Sequence, residues 1–186
     1  MPSYDPTRLT AQQQADLLNL QVQKDAFGML AADYTLVSQT GNQKLFNWTT
    51  NGALTLPTGV YVFSSLLNID TMSATSVNGV FDILGAGTAT LASIAQQAIG
   101  LDATTQATQA AASAALSITK TIQLALAATG TAVGALLNGQ FNVTVAGTII
   151  PSIALDTAAA ALVRQGSFFR CVRLSEQPQN FVGAWG

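Results

Sequence analysis

Hydrophobic and polar positions follow two different periods along this chain. Between Thr10 and Ala31 there is no proline and a single glycine, Gly28. Leu17, Leu20, Lys24, Phe27 and Ala31 fall at helical spacing, as do Leu18, Val22 and Met29, while Gln, Asn and Asp fill the other face. Thr10 followed three residues on by Gln13 is a capping-box pattern, in which each side chain satisfies a backbone N–H at the helix start. This predicts one amphipathic α-helix over about 10–31, after an extended start held by Pro2 and Pro6. A lone helix of this kind must bury its stripe against something. Residues 1–33 are therefore expected to form an N-terminal arm that packs on its own domain, on symmetry mates or on a partner. Its anchor candidates are Tyr4, Arg8, Leu9, Leu17, Leu20 and Phe27.

From residue 34 the period changes to two. Tyr34-Thr35-Leu36-Val37, Lys44-Leu45-Phe46-Asn47-Trp48, Ala53-Leu54-Thr55-Leu56 and Val60-Tyr61-Val62-Phe63 are short β runs. Thr40-Gly41-Asn42, Asn51-Gly52 and Thr58-Gly59 separate them with turn chemistry. Val80-Phe81-Asp82-Ile83-Leu84 and Thr88-Ala89-Thr90-Leu91-Ala92-Ser93-Ile94 continue the series. Residues 100–117 are mostly Ala, Thr and Gln without apolar periodicity, which predicts a long inter-strand loop. Beyond it, Ile118, Ile122, Leu124 and Leu126, then Phe141, Val143 and Val145, resume the alternation. Pro151 is expected at an edge or bulge, because it lacks a ladder N–H. Gly166 precedes a last strand over 167–174. About eight to ten short strands with regular turns favour a mainly β sandwich or jelly roll over a parallel α/β fold. The expected organisation is an arm over 1–33 and one β domain over 34–186.

Composition changes the picture in one respect. Hydrophobic residues make up 49% of the 186 residues, which is ordinary, but charged residues make up only 9%, against about 25% in a typical soluble chain. Obligate interfaces are depleted of charge, so a stable oligomer is expected. The formal net charge of −2 argues against nucleic acid as a partner, since such binders need a basic stripe. The one local basic cluster, Arg164, Arg170 and Arg173, reads as a solvated strand edge. The apolar stretch 124–137 is interrupted by Thr129, Gly130, Thr131 and Gly134 and falls short of the about 20 residues a membrane helix needs. It reads as buried strands and a turn. The polar N-terminus shows no signal peptide, and the lone Cys171 allows no intrachain disulfide, which fits assembly in a reducing cytoplasm.

Catalytic chemistry has little to work with. The absence of histidine removes Ser-His-Asp and Cys-His arrangements and histidine metal sites. The nine acidic residues are spread singly, and no spacing suggests that Asp70 and Asp82 form the facing pair a glycosidase requires. Gly85-Ala86-Gly87 lacks the third glycine and helix of a dinucleotide fingerprint. Cys171 reads as a small residue packed in a strand, although Arg170 and Arg173 nearby could lower a thiol pKa. No catalytic site, metal or cofactor is expected. The aromatics, Trp48 and Trp185 among them, read mostly as core, with a sugar-binding surface as the alternative.

The segment Gly139-Gln140-Phe141-Asn142-Val143-Thr144-Val145-Ala146-Gly147-Thr148-Ile149-Ile150-Pro151-Ser152-Ile153 resembles a recurring stretch of phage virion proteins that carry a tumour-necrosis-factor-like jelly roll. Gly166-Ser167-Phe168-Phe169-Arg170 is similar to the entry to that family's final strand, and Val182-Gly183-Ala184-Trp185 to its ending. Lys44-Leu45-Phe46-Asn47 and Gly87-Thr88-Ala89-Thr90-Leu91 fit the same group, so the resemblance spans roughly residues 34–186. The Ala/Thr/Gln segment 100–117 departs from it. The resemblance implies an antiparallel two-sheet jelly roll assembled as a homotrimer, with Tyr61, Phe63, Phe169 and Val172 as interface candidates. The expectation that follows is a capsid decoration (cement) protein on the outer surface of a tailed phage head, bridging capsomers and contacting the major capsid protein or neighbouring trimers. The alternative is a tail-tip protein that recognises a host-surface glycan.

Overall fold

The computed structural model describes residues 26–73, 79–83, 86–103, 110–117, 121–124 and 132–176. Among them the chain is mainly β, built of antiparallel sheets. The strands are β1 (Ala26–Met29), β2 (Tyr34–Thr35), β3 (Gln43–Lys44), β4 (Leu54–Leu56), β5 (Gly59–Asp70), β6 (Gly79–Asp82) and β7 (Thr90–Ala103). They continue as β8 (Ala110–Ser117), β9 (Thr121–Leu124), β10 (Ala132–Val145), β11 (Gly147–Ile149), β12 (Ser152–Leu155), β13 (Leu162–Val163) and β14 (Phe168–Ser175).

The large sheet runs in the order β1-β14-β5-β10-β7-β8. Its spine is β5 against β10, with Gly59 opposite Val143 and Ile69 opposite Val133 in unbroken register. A four-stranded sheet has the order β3-β12-β6-β9, and β4 pairs with β11. Burial along β5 alternates strictly from Tyr61 on: Tyr61, Phe63, Ser65, Leu67 and Ile69 are buried and the residues between them half-buried. Successive side chains of a strand point to opposite faces, so this alternation gives the large sheet one core face and one outer face.

The core joins the two larger sheets through aromatic rings. Phe169 of β14 is fully buried. Its ring lies 5.8 Å from Phe63, 5.9 Å from Trp48, 6.5 Å from Phe46, which follows β3, and 6.5 Å from Phe81 of the opposing sheet. Tyr61 stacks on Phe141 at 5.3 Å with 9° between the ring planes. Its hydroxyl donates to the Pro57 carbonyl at 2.9 Å. Burial pushes this phenol up to about 12, against the opposing pull of the nearby Arg173 charge.

The far end of the sheet is stepped. β13 and β14 both lie on one flank of β5, at Asp70–Ile69 and at Leu66–Val60 respectively. Between them the chain steps out at 164–167, where Gly166 takes φ +85°, a conformation that suits glycine because it has no Cβ. The Gly166 N–H donates to the Leu30 carbonyl and the Leu30 N–H to the Ser167 carbonyl, so the neighbouring β1–β2 segment follows the step. The Asn51-Gly52 turn also forms, with Gly52 at φ +67° and its N–H donating to the Thr49 carbonyl.

Two expectations need correction. Residues 26–29, assigned to the end of the amphipathic helix, form β1 and pair with β14 from Ala26–Cys171 to Met29–Phe168. The outer edge of β14 presents unpaired backbone groups, and satisfying them outweighs a helical propensity that Gly28 already weakens. The rest of that helix, 10–25, lies outside the described residues. The second correction concerns 100–117, expected as a loop. β7 runs on to Ala103 and β8 pairs back on it, from Gln96–Ser117 to Asp102–Ala110. Ladder hydrogen bonds are made by the backbone, so Ala-rich strands without apolar alternation can still form them. No helix among the described residues is long and apolar enough to cross a membrane.

Candidate assembly surface

The outer face of the large sheet carries an apolar row that crosses five strands in register. Met29 of β1 lies opposite Phe168 of β14, Phe168 opposite Leu66 of β5, Leu66 opposite Leu136 of β10, and Leu136 opposite Ile99 of β7. Met29 is 57% exposed, and Leu136 and Ile99 are each 41% exposed. Their immediate neighbours Ala135, Leu137 and Ala98 are buried, which fixes the row on the outer side. Side chains directly opposite across strands sit close enough to touch, so five large side chains form one continuous strip.

The next two rows mix polar and apolar side chains and are nearly uncharged. Phe27, Arg170, Ser64, Asn138 and Gln97 line up on one side. Val172, Val62, Gln140 and Ala95 form the next row. Arg170 is the only charged residue in the three rows. A shallow depression of about 310 Å³ lies on this face beside Val62, Ser64, Arg170 and Val172. Scattered exposed apolar residues are normal on a monomer; a contiguous, charge-poor strip marks an interaction face. Removing the remaining exposed surface of Met29, Leu136 and Ile99 from water would contribute about 1 kcal/mol each.

Of the trimer-interface candidates, Tyr61, Phe63 and Phe169 point inward. They are 1%, 4% and 0% exposed and pack within this chain, so they are not available to a partner. They belong to the core phase of β5 and β14, one residue out of step with the outer face. Val172 is on the outer face, half-buried. Among the anchor candidates, Phe27 is 55% exposed on β1, with its ring 5.8 Å from Phe168. It therefore adjoins the apolar row. Tyr4, Arg8, Leu9, Leu17 and Leu20 lie outside the described residues.

The three arginines have separate settings. Arg164 bridges two carboxylates, Asp33 at 2.9 Å and Asp70 at 2.6 Å, and so ties β2, β5 and β13 at the stepped end. Arg173 bonds the Thr58 carbonyl and approaches Glu176 at 3.4 Å. Arg170 stands on the outer face. Cys171 is fully buried, opposite Phe63. Among the described residues no three His, Cys, Asp or Glu cluster to hold a metal ion.

Asp33 gives a pH-dependent prediction. The Gln165 N–H, donating at 2.7 Å, and then the Arg164 guanidinium hold its carboxyl below the usual 3.8. A lowered folded-state pKa adds stability above the unfolded value, which is lost as pH falls through the folded value. Asp33→Asn should therefore be less stable than the parent at pH 7, and the difference should vanish well below pH 3.8. Thermal melts across that range would show it; a difference independent of pH would exclude the ionised Asp33 as its source.

No protein-family model matches the sequence, and no match was found among curated proteins.

Proposed function

We propose that this chain is a structural virion protein that assembles into a homotrimer through the outer face of its large sheet. The observation that carries this reading is the in-register apolar row Met29–Phe168–Leu66–Leu136–Ile99. The low charge content of the whole chain supports it, because a protein that hides part of its surface against copies of itself needs fewer solvating charges. Two-sheet jelly-roll topology is the finer reading of the fold. Its support is the way the chain alternates between sheets: β3 in the small sheet, β5 in the large, β6 in the small, β7 and β8 in the large, β9 in the small, β10 in the large, β12 in the small, β13 and β14 in the large.

The resemblance to phage virion proteins makes decoration of a capsid's outer surface the favoured role. Bridging neighbouring capsomers adds binding free energy that exists only on the intact lattice, and so stabilises it by mass action. The major capsid protein, or an adjacent trimer, would be the partner. Residues preceding β1 would supply the contact.

The mass in solution tests the first step: the purified chain should behave as three times 19.2 kDa. A monomer at micromolar concentration would sink the assembly reading. The second step is tested on decoration-free phage heads. A truncation ending before Ala26 keeps β1 in the sheet; it should remain trimeric and lose head binding. Equal occupancy by the truncated trimer would overturn the anchoring role of the N-terminal residues.

A further inference from the structure

A long cleft opens around Tyr34 and Lys44, with two lobes that share these two residues. One lobe, about 360 Å³, has Gln39, Asn42, Gln43, Asn51 and Ser152 among its lining residues, beside the apolar Val37, Ala86 and Ile150. The other, about 670 Å³, adds the aromatic Trp48 together with Asn47, Thr49 and Thr50. No carboxylate lines either lobe, and Lys44 is their one charged residue.

The walls are held in place before any ligand arrives. The Trp48 indole lies against the backbone of β1, where a Cβ on Gly28 would come within 2.4 Å of it. Its ring also meets Phe46 at 5.1 Å and Phe169 at 5.9 Å. The turn that carries Thr49, Thr50 and Asn51 is closed by Gly52 N–H to the Thr49 carbonyl and Ala53 N–H to Thr49 Oγ1 at 3.0 Å. Lys44 Nζ donates to the Thr50 carbonyl, which fixes the cation and leaves it further N–H groups to offer. Gln43 is 6% exposed, and its Oε1 accepts the Val37 N–H at 2.7 Å, which holds the side chain in place.

We infer that this cleft binds an oligosaccharide, with an acidic sugar seated at Lys44. Half-buried aromatic surfaces suit the C–H faces of a pyranose. Amides and hydroxyls, which both donate and accept, suit its hydroxyl groups. A lone cation with no carboxylate beside it selects an anionic substituent, since nothing in the cleft repels one. The inference stands on the cleft alone, and its residues are not those of the apolar row.

The test uses the full chain on an array of neutral, uronic-acid-containing and sialylated oligosaccharides, followed by titration calorimetry with the best acidic hit. Lys44→Gln removes the charge and keeps an uncharged N–H donor group; it should weaken the acidic ligand about tenfold or more, a change of about 1.4 kcal/mol, and leave neutral analogues unchanged. Asn42→Ala with Asn51→Ala, both at exposed positions, should weaken both classes. Unchanged thermal melts would establish that these variants are folded. Leu136→Lys, aimed at the assembly face, should leave monovalent saccharide affinity as it is, so failure of the two proposals is distinguishable. No saccharide bound at millimolar concentration, or binding indifferent to the cleft variants, would overturn the inference. Binding confined to neutral sugars would overturn the acidic seat at Lys44.

Discussion

Leu136→Lys abolishes assembly and leaves the chain folded: that is the expected result with the largest effect on quaternary structure. Leu136 lies at the middle of β10, opposite Leu66 on one side and Ile99 on the other. At 41% exposure the side chain contributes part of its surface to the chain itself, and the remainder faces outward. A lysine here can keep its ammonium in water in the isolated chain, so the cost to folding should stay near that of a surface substitution, about 0.5 kcal/mol. In a trimer closed over this row, the same ammonium would be buried without a counter-charge. An uncompensated buried charge costs about 3–5 kcal/mol, which corresponds to a loss of a hundredfold or more in association. Light scattering should report single chains at concentrations where the parent forms trimers, with an unchanged β-type circular dichroism spectrum. A variant that stays trimeric would place the interface on another face.

Phe169→Ala should produce the largest loss of folding stability. Its side chain is inaccessible and its ring lies within 6.5 Å of four others, Phe46, Trp48, Phe63 and Phe81. Truncating a buried phenylalanine removes its transfer free energy and leaves a cavity, about 3–5 kcal/mol together. That is a large part of the roughly 5–15 kcal/mol that stabilises a domain, and should lower the melting temperature by roughly 6–20 °C. The neighbouring Phe168→Ala is the informative control. Phe168 faces outward, half-buried between Met29 and Leu66. It should lose less in folding and more in assembly. If the two variants were equally destabilised as monomers, the assignment of one phenylalanine to the core and the other to the outer face would be wrong.

Phe168 and Phe169 also mark how much of the outer apolar row is readable in the chain. The sequence predicts a short β run at 60–63, inside β5, and a last strand after Gly166, which is β14; Tyr61, Phe63 and Phe169 fall on the buried phase of these strands. The resemblance implies these three as interface residues, whereas the plain reading of the aromatics as core is what their burial within the chain shows. The signal for the true outer strip was present as adjacent doublets: Leu66-Leu67, Leu136-Leu137 and Phe168-Phe169. In a strand, both members of a doublet cannot face the same side. One of each therefore lies outside whatever the register. What the doublets could not reveal is that Phe168 and Leu136 both fall opposite Leu66, because pairing between residues so far apart in the chain depends on which strands meet.

The sequence by itself determined the β character of much of 34–99 and 132–175, the Asn51-Gly52 turn and the scarcity of charge. These rest on local periodicity, on the φ preference of glycine and on composition, none of which needs a partner strand. Tertiary structure alone decided that 26–29 is a strand, since its conformation follows from the open edge of β14. It also decided that the Ala-rich 110–117 pairs with β7, where backbone hydrogen bonds act without side-chain pattern. The cleft at Lys44 and the apolar row were decided in the same way. Each gathers residues from distant parts of the chain, and their proximity is a property of strand register, which no single stretch of sequence encodes.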